Sequence, residues 1–153
     1  MSKKLIFSLL LIVILAVAII SAPELINYFS RKEPTAIIGS KQITIEIAKT
    51  PDQLKKGLSD RNSLGKNRGM LFQYPDYVFQ GFWMKGMRFP IDIIWIKDNV
   101  IVGAQQNVPV GITEPLPVYY PPEPVNNILE VNAGFVTKNN IKAGDRVDFK
   151  NIE

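Results

Sequence analysis

The fold is decided by residues 79–96, which read FQGFWMKGMRFPIDIIWI. Both tryptophans of the chain lie in this stretch, together with the charged residues Lys85, Arg88 and Asp92. Its last third, residues 91–96, is apolar everywhere except at Asp92, a pattern typical of a strand that is covered on both faces. Charged side chains are rarely buried in such sequence unless they are paired or functional. We therefore expect a central strand here, and we treat Lys85 and Asp92 as candidates for a site.

Apolar patterning predicts a set of short strands on either side of this stretch. Ile43, Ile45 and Ile47 recur at every second position of residues 42–48, as in a half-buried strand. Residues 91–96 and 100–104 form a predicted hairpin over a turn at 97–99. Further strands are predicted at 35–39, at 69–74 (ended by Pro75), and at 78–85, 127–131 and 146–150.

Only short helices are predicted between these strands. Thr50 can cap a helix that begins at Pro51, and Gln53 stands where a capping box needs it, so a helix should run to about Ser59 or Asp60. Residues 135–140 allow one further helical turn. The sequence therefore predicts a mainly β fold: an antiparallel barrel or sandwich of about eight strands with one or two short helices, preceded by an N-terminal hydrophobic helix.

Prolines are concentrated between Val108 and Val125, where six of the eleven in the chain lie beside Tyr119 and Tyr120. Because proline cannot donate a hydrogen bond to a sheet, this segment should be an extended arm or loop rather than a central strand. Two roles are open for residues 109–124. The segment is either a loop that covers the barrel, or a lid or peptide-docking surface, since long ordered loops often carry function.

The composition excludes several classes of chemistry. The chain of 153 residues contains no cysteine and no histidine. Disulfides, thiolate nucleophiles and cysteine-based metal sites are therefore impossible, and the usual histidine bases and most zinc sites are excluded as well. We expect no cofactor. From residue 34 onward, 14 basic residues face 12 acidic ones, and the sequence lacks the one-sided basic stripe that nucleic-acid binding needs.

The N-terminus predicts a targeting signal or a membrane anchor. Two lysines precede an apolar run from residue 5 to residue 22, which is interrupted only by Ser8 and Ser21. Its length is just sufficient to span a membrane, and it also fits a signal peptide. We expect a signal anchor or signal peptide at 1–22, a tether at 23–34 and a single β domain at 35–153. The basic start places the domain outside the cytoplasm, membrane-anchored or secreted, with the membrane as a partner through residues 5–22.

Seven short segments, in order along the chain, resemble a known protein family. They are EIA (46–48), GL with Arg61 (57–61), GMLF (69–72), FWMK (82–85), PIDII (90–94), EVNAG (130–134) and IKAGD (141–145). Together they resemble the domain of unknown function 192 family over roughly residues 42–149. That family usually follows the Trp-Met-Lys unit with Asn and Thr, whereas this chain has Gly86 and Met87. The resemblance implies a compact, mainly β domain that is often exported and has no established activity.

The candidates for a site are four of the charged residues in these segments, Arg61, Lys85, Asp92 and Glu130. If they are buried, each needs a partner, because an isolated ion in a protein interior costs several kcal/mol. One hypothesis is structural: two ion pairs, Arg61 or Lys85 with Asp92 or Glu130, join the strands. The other is a polar pocket in which Arg61 and Lys85 hold an anionic or sugar-like ligand. In that pocket Trp83 forms an apolar wall, and Asn132 belongs to the same binding set.

Three functions remain open. The first is a binding or accessory module of the cell envelope, whose partner is a small ligand or an envelope protein; we expect this role rather than an enzyme. The second is a hydrolase of envelope glycans with Asp92 and Glu130 as acid and base, which requires two carboxyls roughly 5–10 Å apart across a cleft. The third is Cu(I) binding by the thioethers of Met70, Met84 and Met87, although methionine in apolar strands is usually core filler.

Overall fold

Nine strands and two short helices make up residues 32–152, the part of the chain that the computed structural model describes. The strands are β1 (Thr35–Ile38), β2 (Lys41–Ala48), β3 (Arg68–Val78), β4 (Phe82–Trp83), β5 (Ile91–Lys97), β6 (Val100–Val108), β7 (Val118–Tyr119), β8 (Val125–Asn132) and β9 (Val147–Lys150). The helices are α1 (Pro51–Lys56) and α2 (Phe135–Lys138). The predicted anchor at 1–22 and most of the tether lie outside the described residues. Neither helix of residues 32–152 has the length and hydrophobicity of a membrane span.

Seven of the strands form one curled sheet in the order β6–β5–β8–β3–β2–β1–β9. All neighbours are antiparallel except β2 and β3, which are parallel and are connected through α1. The two edges of the sheet meet at one end. There the Ile101 N–H donates to the Asp145 carbonyl at 2.9 Å, and the Val147 N–H donates to the Asn99 carbonyl at 2.8 Å. The sheet is therefore a half-barrel, and the predicted mainly β fold is confirmed.

Both faces of the sheet are apolar, so the domain has two cores. Along β5, Ile91, Ile93 and Trp95 belong to the outer core, whereas Ile94 and Ile96 belong to the inner core. The inner core fills the half-barrel. The outer core is covered by α1, by the turn after it, and by β4, which pairs with β7 in a separate two-stranded sheet. Every residue from 91 to 96 is buried, which confirms the predicted strand with two covered faces.

The backbone geometry confirms two local predictions. Thr50 caps α1: its hydroxyl oxygen accepts from the Gln53 N–H, and Oε1 of Gln53 accepts from the Thr50 N–H at 3.1 Å. The β5–β6 hairpin turns through Asp98 and Asn99, which have φ values of 48° and 65°. Tight hairpin turns require such positive φ values, and short polar side chains adopt them more readily than others.

The prediction that Pro75 ends its strand was wrong, because β3 continues to Val78. Beyond Phe72, β3 no longer pairs with β2, and its pairing with β8 is irregular between Gln73 and Val78. Proline therefore occupies a part of the strand where no regular ladder needs its missing N–H.

The predicted strand at 78–85 is shorter than expected, because only Phe82 and Trp83 form one. This two-residue strand lies outside the main sheet and pairs with β7, with Trp83 opposite Val118. The segment 109–124, which we call the Pro-rich arm, forms no strand of the seven-stranded sheet, as predicted, and it bends at residues 113–115 and 122–123. Its β7 strand holds it against the residues that cover the outer core.

Candidate functional site

A cleft of about 560 Å³ opens on the outer face of the sheet. One wall is formed by α1 and the turn after it, residues 54–59, and another by residues 80–83 with Val118 and Tyr120 of the Pro-rich arm. From the sheet itself, Phe72, Tyr74 and Glu130 line the cleft. The cleft is therefore built on the outer core and not inside the half-barrel.

Glu130 is the buried charged group of this cleft. It lies on β8 opposite Met70 of β3 and Ile93 of β5, both of which belong to the outer core. Its side chain is only 6% exposed, and it takes part in no ion pair with residues 32–152. Burial alone raises the pKa of Glu130 to about 8. At neutral pH the cleft therefore contains a carboxyl group that is largely protonated.

The pKa of the neighbouring Tyr74 phenol is shifted by the same partly buried environment. Burial raises the pKa of Tyr74 above its usual value of 10.0, and the nearby Glu130 carboxylate raises it further. The phenol thus keeps its proton at physiological pH. Tyr74 and Glu130 are then two hydrogen-bonding groups, each able to donate and to accept, in an otherwise largely apolar part of the cleft.

Aromatic rings form much of the remaining surface. Phe82 contacts Phe72 edge to face, with ring centroids 4.9 Å apart and planes at 87°, and it contacts Trp95 in the same manner at 5.7 Å. Trp83 lines the cleft with 55% of its surface exposed. Nζ of Lys85 lies 5.1 Å from the centroid of the Trp83 ring, a cation–π contact that restrains the indole.

Gly81 lets the Pro-rich arm approach this wall. A Cβ atom at residue 81 would lie 2.4 Å from Cγ1 of Val118 and 2.8 Å from Cε1 of Tyr120, closer than such contacts ever are. Tyr120 in turn stacks on Phe79, with centroids 5.6 Å apart and planes at 15°. The arm is therefore part of the cleft wall, and a residue with no side chain at position 81 makes its position possible.

Asp92 is fully buried, but it lies on the inner face and not in the cleft. Its Oδ1 accepts hydrogen bonds from the backbone N–H groups of Asn107 at 2.7 Å and Gly134 at 3.1 Å, and its Oδ2 accepts from that of Val136 at 2.8 Å. Three backbone donors thus replace the counter-ion that we had expected. Through these bonds Asp92 joins the end of β6 to the start of α2.

Arg61 pairs with Glu46, a residue that the sequence analysis had not selected. The two terminal nitrogens of its guanidinium, Nη1 and Nη2, donate to Oε1 and Oε2 of Glu46, each at 2.8 Å. This bond from Arg61 is the main cause that lowers the pKa of Glu46. About a third of each side chain remains exposed, so the pair lies at the edge of the outer face.

The hypothesis that Arg61 or Lys85 neutralises Asp92 or Glu130 is therefore wrong. Lys85 is exposed, and the two acids point to opposite faces because Glu130 pairs with residue 93, the neighbour of Asp92 on β5. Side chains alternate between faces along a strand. The same geometry does not fit the hydrolase hypothesis, since the two carboxyls do not face each other across one cleft.

The other predicted residues lie in two different places. Asn132, at the end of β8, lines a second groove, and its Nδ2 donates to the Gly65 carbonyl at 3.0 Å. Met70, Met84 and Met87 are buried in the outer core, and of these three only Met87 lines the cleft. Cu(I) binding by these thioethers stays a prediction.

Tyr74, Gly81 and Tyr120 are among the cleft residues that were not selected from the sequence. Tyr74 had a usable signal, because it follows Phe72 at the spacing that returns a strand to the same face. The positions of Gly81 and Tyr120 depend on how the Pro-rich arm folds back onto β4. No local pattern in the sequence encodes that contact.

A family model described as "Uncharacterized ACR, COG1430", the domain of unknown function 192 (DUF192), matches residues 34–149. The chain belongs to this family. The match covers nearly the whole of the described domain and confirms the resemblance carried by the seven short segments. None of the curated proteins compared with the chain matches it. Family membership thus relates the chain to other DUF192 domains but assigns it no activity.

Two solved structures resemble this DUF192 domain. One, from Sinorhizobium meliloti 1021 and described as a proposed transcription regulator, is 30% identical with a TM-score of 0.68, over 78% of this chain and 93% of the other. The second, from Novosphingobium aromaticivorans and described as a protein of unknown function, is 29% identical with a TM-score of 0.68, over 75% and 83%. Both share the fold, and neither description names a ligand.

Proposed function

We propose that the protein is a binding module located outside the cytoplasm, and that its cleft takes a sugar-like ligand with Glu130 as the polar anchor. The observation that carries the proposal is the position of Glu130, a buried carboxyl group that borders the cleft and has no charged partner among the described residues. Burying a polar group without a partner costs free energy. A ligand that forms hydrogen bonds with Glu130 recovers part of this cost, which favours binding at this position.

The protonation state of Glu130 favours a neutral, hydroxyl-rich ligand. A protonated carboxyl group donates one hydrogen bond and accepts others. A sugar hydroxyl also donates and accepts, so the two are complementary. Arg61, which we had expected to hold an anionic ligand, already binds both oxygens of Glu46 and is not among the described residues that line the cleft. The cations that line it are Lys55 and Lys56 of the helical wall, so the buried polar anchor of the cleft is Glu130.

The aromatic wall supports the same class of ligand. A sugar ring has an apolar C–H face and a rim of hydroxyl groups. Trp83 offers an exposed ring for the first, and Glu130 and Tyr74 offer hydrogen bonds for the second. Ligand sites generally combine apolar walls with a few polar groups in this way.

Binding without cleavage is the activity that the cleft supports. Glycosidases use two carboxyl groups that flank the scissile bond. Among the described residues that line the cleft, Glu130 is the single carboxyl group, and Asp92 serves the inner face instead. We therefore propose an accessory or recognition role, with no catalytic step.

The location outside the cytoplasm rests on the sequence of residues 1–22. Two lysines before an apolar run orient the segment with its start in the cytoplasm and direct the rest of the chain across the membrane. Residues 5–22 are the proposed contact with the membrane. In that setting the glycans of the envelope are the sugar-bearing polymers within reach of the cleft.

The proposal is tested by titrating the full-length chain with chito-, malto- and cello-oligosaccharides. A polyoxyethylene detergent is suitable because it contains neither sugar nor phosphate. Amide chemical shifts should change at Gly57 and Gly81, which line the cleft. Glu130→Ala and Trp83→Ala should each weaken binding about tenfold or more, because each removes a hydrogen bond or a contact face worth ~1–3 kcal/mol.

Lys49→Ala is the matched control, since Lys49 is exposed and does not line the cleft. It should bind as the wild type does. The proposal is overturned if none of the three oligosaccharide series shifts the cleft amides. Binding that survives both cleft substitutions, or that falls equally with Lys49→Ala, would contradict it as well.

A further inference from the structure

We infer that a second groove, separate from the cleft, binds a phosphate-bearing anion. This groove has a volume of about 370 Å³ and lies where β3 begins, β8 ends and α2 follows. Four cationic side chains line it, those of Lys41, Lys66, Arg68 and Lys138. Within the described part of the chain, no Asp or Glu is among its lining residues. The groove is thus a concave surface with charge of one sign.

The four cations have no internal counter-ions, since none forms an ion pair with residues 32–152. Arg68 is the informative case. The pKa of Glu46 is lowered mainly by its hydrogen bond from Arg61, and the charge of Arg68 adds a smaller effect in the same direction. Arg61 already occupies both oxygens of Glu46, at 2.8 Å each. Glu46 is therefore already paired, and the guanidinium N–H groups of Arg68 remain available to donate hydrogen bonds to a ligand.

The stem of the Arg68 side chain packs closely against the loop at Gly65. A Cβ atom at Gly65 would lie 2.9 Å from Cδ of Arg68, so the missing side chain at residue 65 gives the arginine stem room against the loop. The loop is fixed in turn, because the Gly65 carbonyl accepts from Nδ2 of Asn132 at 3.0 Å and from the Arg68 N–H at 3.1 Å. A restrained stem loses less conformational entropy on binding. Asn132 is thus a positioning residue for this groove.

The positive charge of the groove also exceeds the net positive charge of the domain. Residues 34–153 have a surplus of only two basic residues, yet four cations meet here without an acid among the lining residues. The remaining residues of the domain therefore carry a slight acidic surplus. A cleft lined by charge of one sign focuses its field and attracts ligands of the opposite sign.

The charge and the shape of the groove favour phosphate over carboxylate. A phosphate monoester carries about −1.5 to −2 charges at neutral pH and has three strong acceptor oxygens. The fork of Arg68 matches two such oxygens, and lysines act as point charges around the third. Leu64 and Phe135 line the same groove and offer contact to an organic group attached to the phosphate. A soluble phosphorylated molecule and a phospholipid headgroup share this chemistry.

The test monitors amide chemical shifts of residues 65–68 and 132–139 while the full-length chain is titrated with phosphates in a polyoxyethylene detergent. The probes are inorganic phosphate, glycerol 3-phosphate and glycerophosphoglycerol, the soluble deacylated headgroup of phosphatidylglycerol. Arg68→Ala should weaken binding at least about tenfold, since a charge-assisted hydrogen bond is lost. The double substitution of Lys66→Ala with Lys138→Ala, both exposed, should weaken it similarly without disturbing the core.

Lys49→Ala is the control, because it removes one exposed positive charge outside the groove. Tighter binding of inorganic phosphate and glycerol 3-phosphate assigns the groove to a soluble phosphorylated ligand. Equal or tighter binding of the diester glycerophosphoglycerol assigns it to a lipid headgroup. In both cases binding should weaken as salt is added. The inference is overturned if no probe binds in the millimolar range, or if Lys49→Ala weakens binding as much as Arg68→Ala. Loss of sugar binding leaves it intact, since the cleft and the groove have no lining residue in common among residues 32–152.

Discussion

Glu130 is shielded from water by its cross-strand neighbours Met70 and Ile93, which are both apolar. The folded protein therefore favours the protonated carboxyl group, whereas an unburied glutamate ionises near 4.5. A carboxyl group whose pKa is raised on folding supports the folded state fully below its unfolded pKa. That contribution is lost as the pH rises through the folded value of about 8.

Glu130→Gln should abolish this pH dependence, because glutamine does not titrate. The free energy of unfolding of the wild type should fall between pH 4.5 and about 8, by up to several kcal/mol, while that of the variant stays level. Tyr74 does not interfere, since its pKa is raised above 10.0. Urea unfolding across this pH range measures the difference. Glu33→Gln, at an exposed position, is the control and should keep the wild-type slope; identical slopes for all three proteins would refute the assignment.

Asp92 illustrates the opposite use of a buried carboxylate, because three backbone donors satisfy it. Asp92→Asn replaces one accepting oxygen with an amide NH2 group, a donor that faces backbone N–H donors. We expect the free energy of unfolding to fall by about 2–4 kcal/mol, the usual range for charged hydrogen bonds lost in a core. The folded fraction should still bind at the cleft, since Asp92 lies on the other face. A variant of normal stability that no longer binds would show that Asp92 belongs to the site.

The element that decides the shape of the cleft is the pair of β4 and β7, because it fixes the Pro-rich arm. Gly81→Ala should displace the arm, since the added Cβ meets Val118 at 2.4 Å and Tyr120 at 2.8 Å. Overpacking of this kind costs about 1–3 kcal/mol. Hydrogen exchange of residues 118–120 should become faster, and ligand binding at the cleft should weaken in parallel if the arm is a working wall or lid.

The matched variant for this experiment is Gly81→Ala combined with Val118→Ala, which removes the closest clashing atom. The cycle is completed by Val118→Ala alone. Protection that is partly recovered in the double variant would show that the contact with Val118 is responsible for part of the effect, while Cε1 of Tyr120 still lies 2.8 Å from the added Cβ. Full binding by Gly81→Ala despite faster exchange would assign the arm the simpler role of a covering loop. The two interpretations of residues 109–124 are separated by this result.

At the scale of the molecule, most strands and the start of the first helix were predictable because their signals are local. The prediction that this helix runs to about Ser59 or Asp60 was wrong, because it ends at Lys56. The alternation of Ile43 and Ile45, the apolar run at 91–96 and the capping box at Thr50 each encode their element within a few residues. The prediction that Pro75 ends its strand was wrong because a proline is excluded only where a regular β-ladder needs a hydrogen bond from its N–H. Whether β3 still had a partner on both sides at that point depends on strand order, which no local pattern records.

The site was predictable only in part, since its partners come from distant segments. Glu130 and Trp83 were selected from the sequence because a charge and a large ring stand out in apolar strands, and both line the cleft. The pairing of Arg61 with Glu46 was missed because it requires the outer face of β2 to lie beside the loop after α1. The basic groove was hidden for the same reason, as its four cations belong to three separate parts of the chain.

The first and last strands of the domain lie side by side, with Thr35 opposite Lys150. The Nδ2 group of Asn151 also donates to the Glu33 carbonyl at 3.3 Å. The points of entry and exit of the polypeptide therefore coincide. A fluorophore or affinity tag attached after residue 152 would sit next to the chain that enters the domain at residue 32. Joining the two ends by a short linker and reopening the chain elsewhere should give a circular permutant with the same contacts, since termini that meet at the surface tolerate such rewiring.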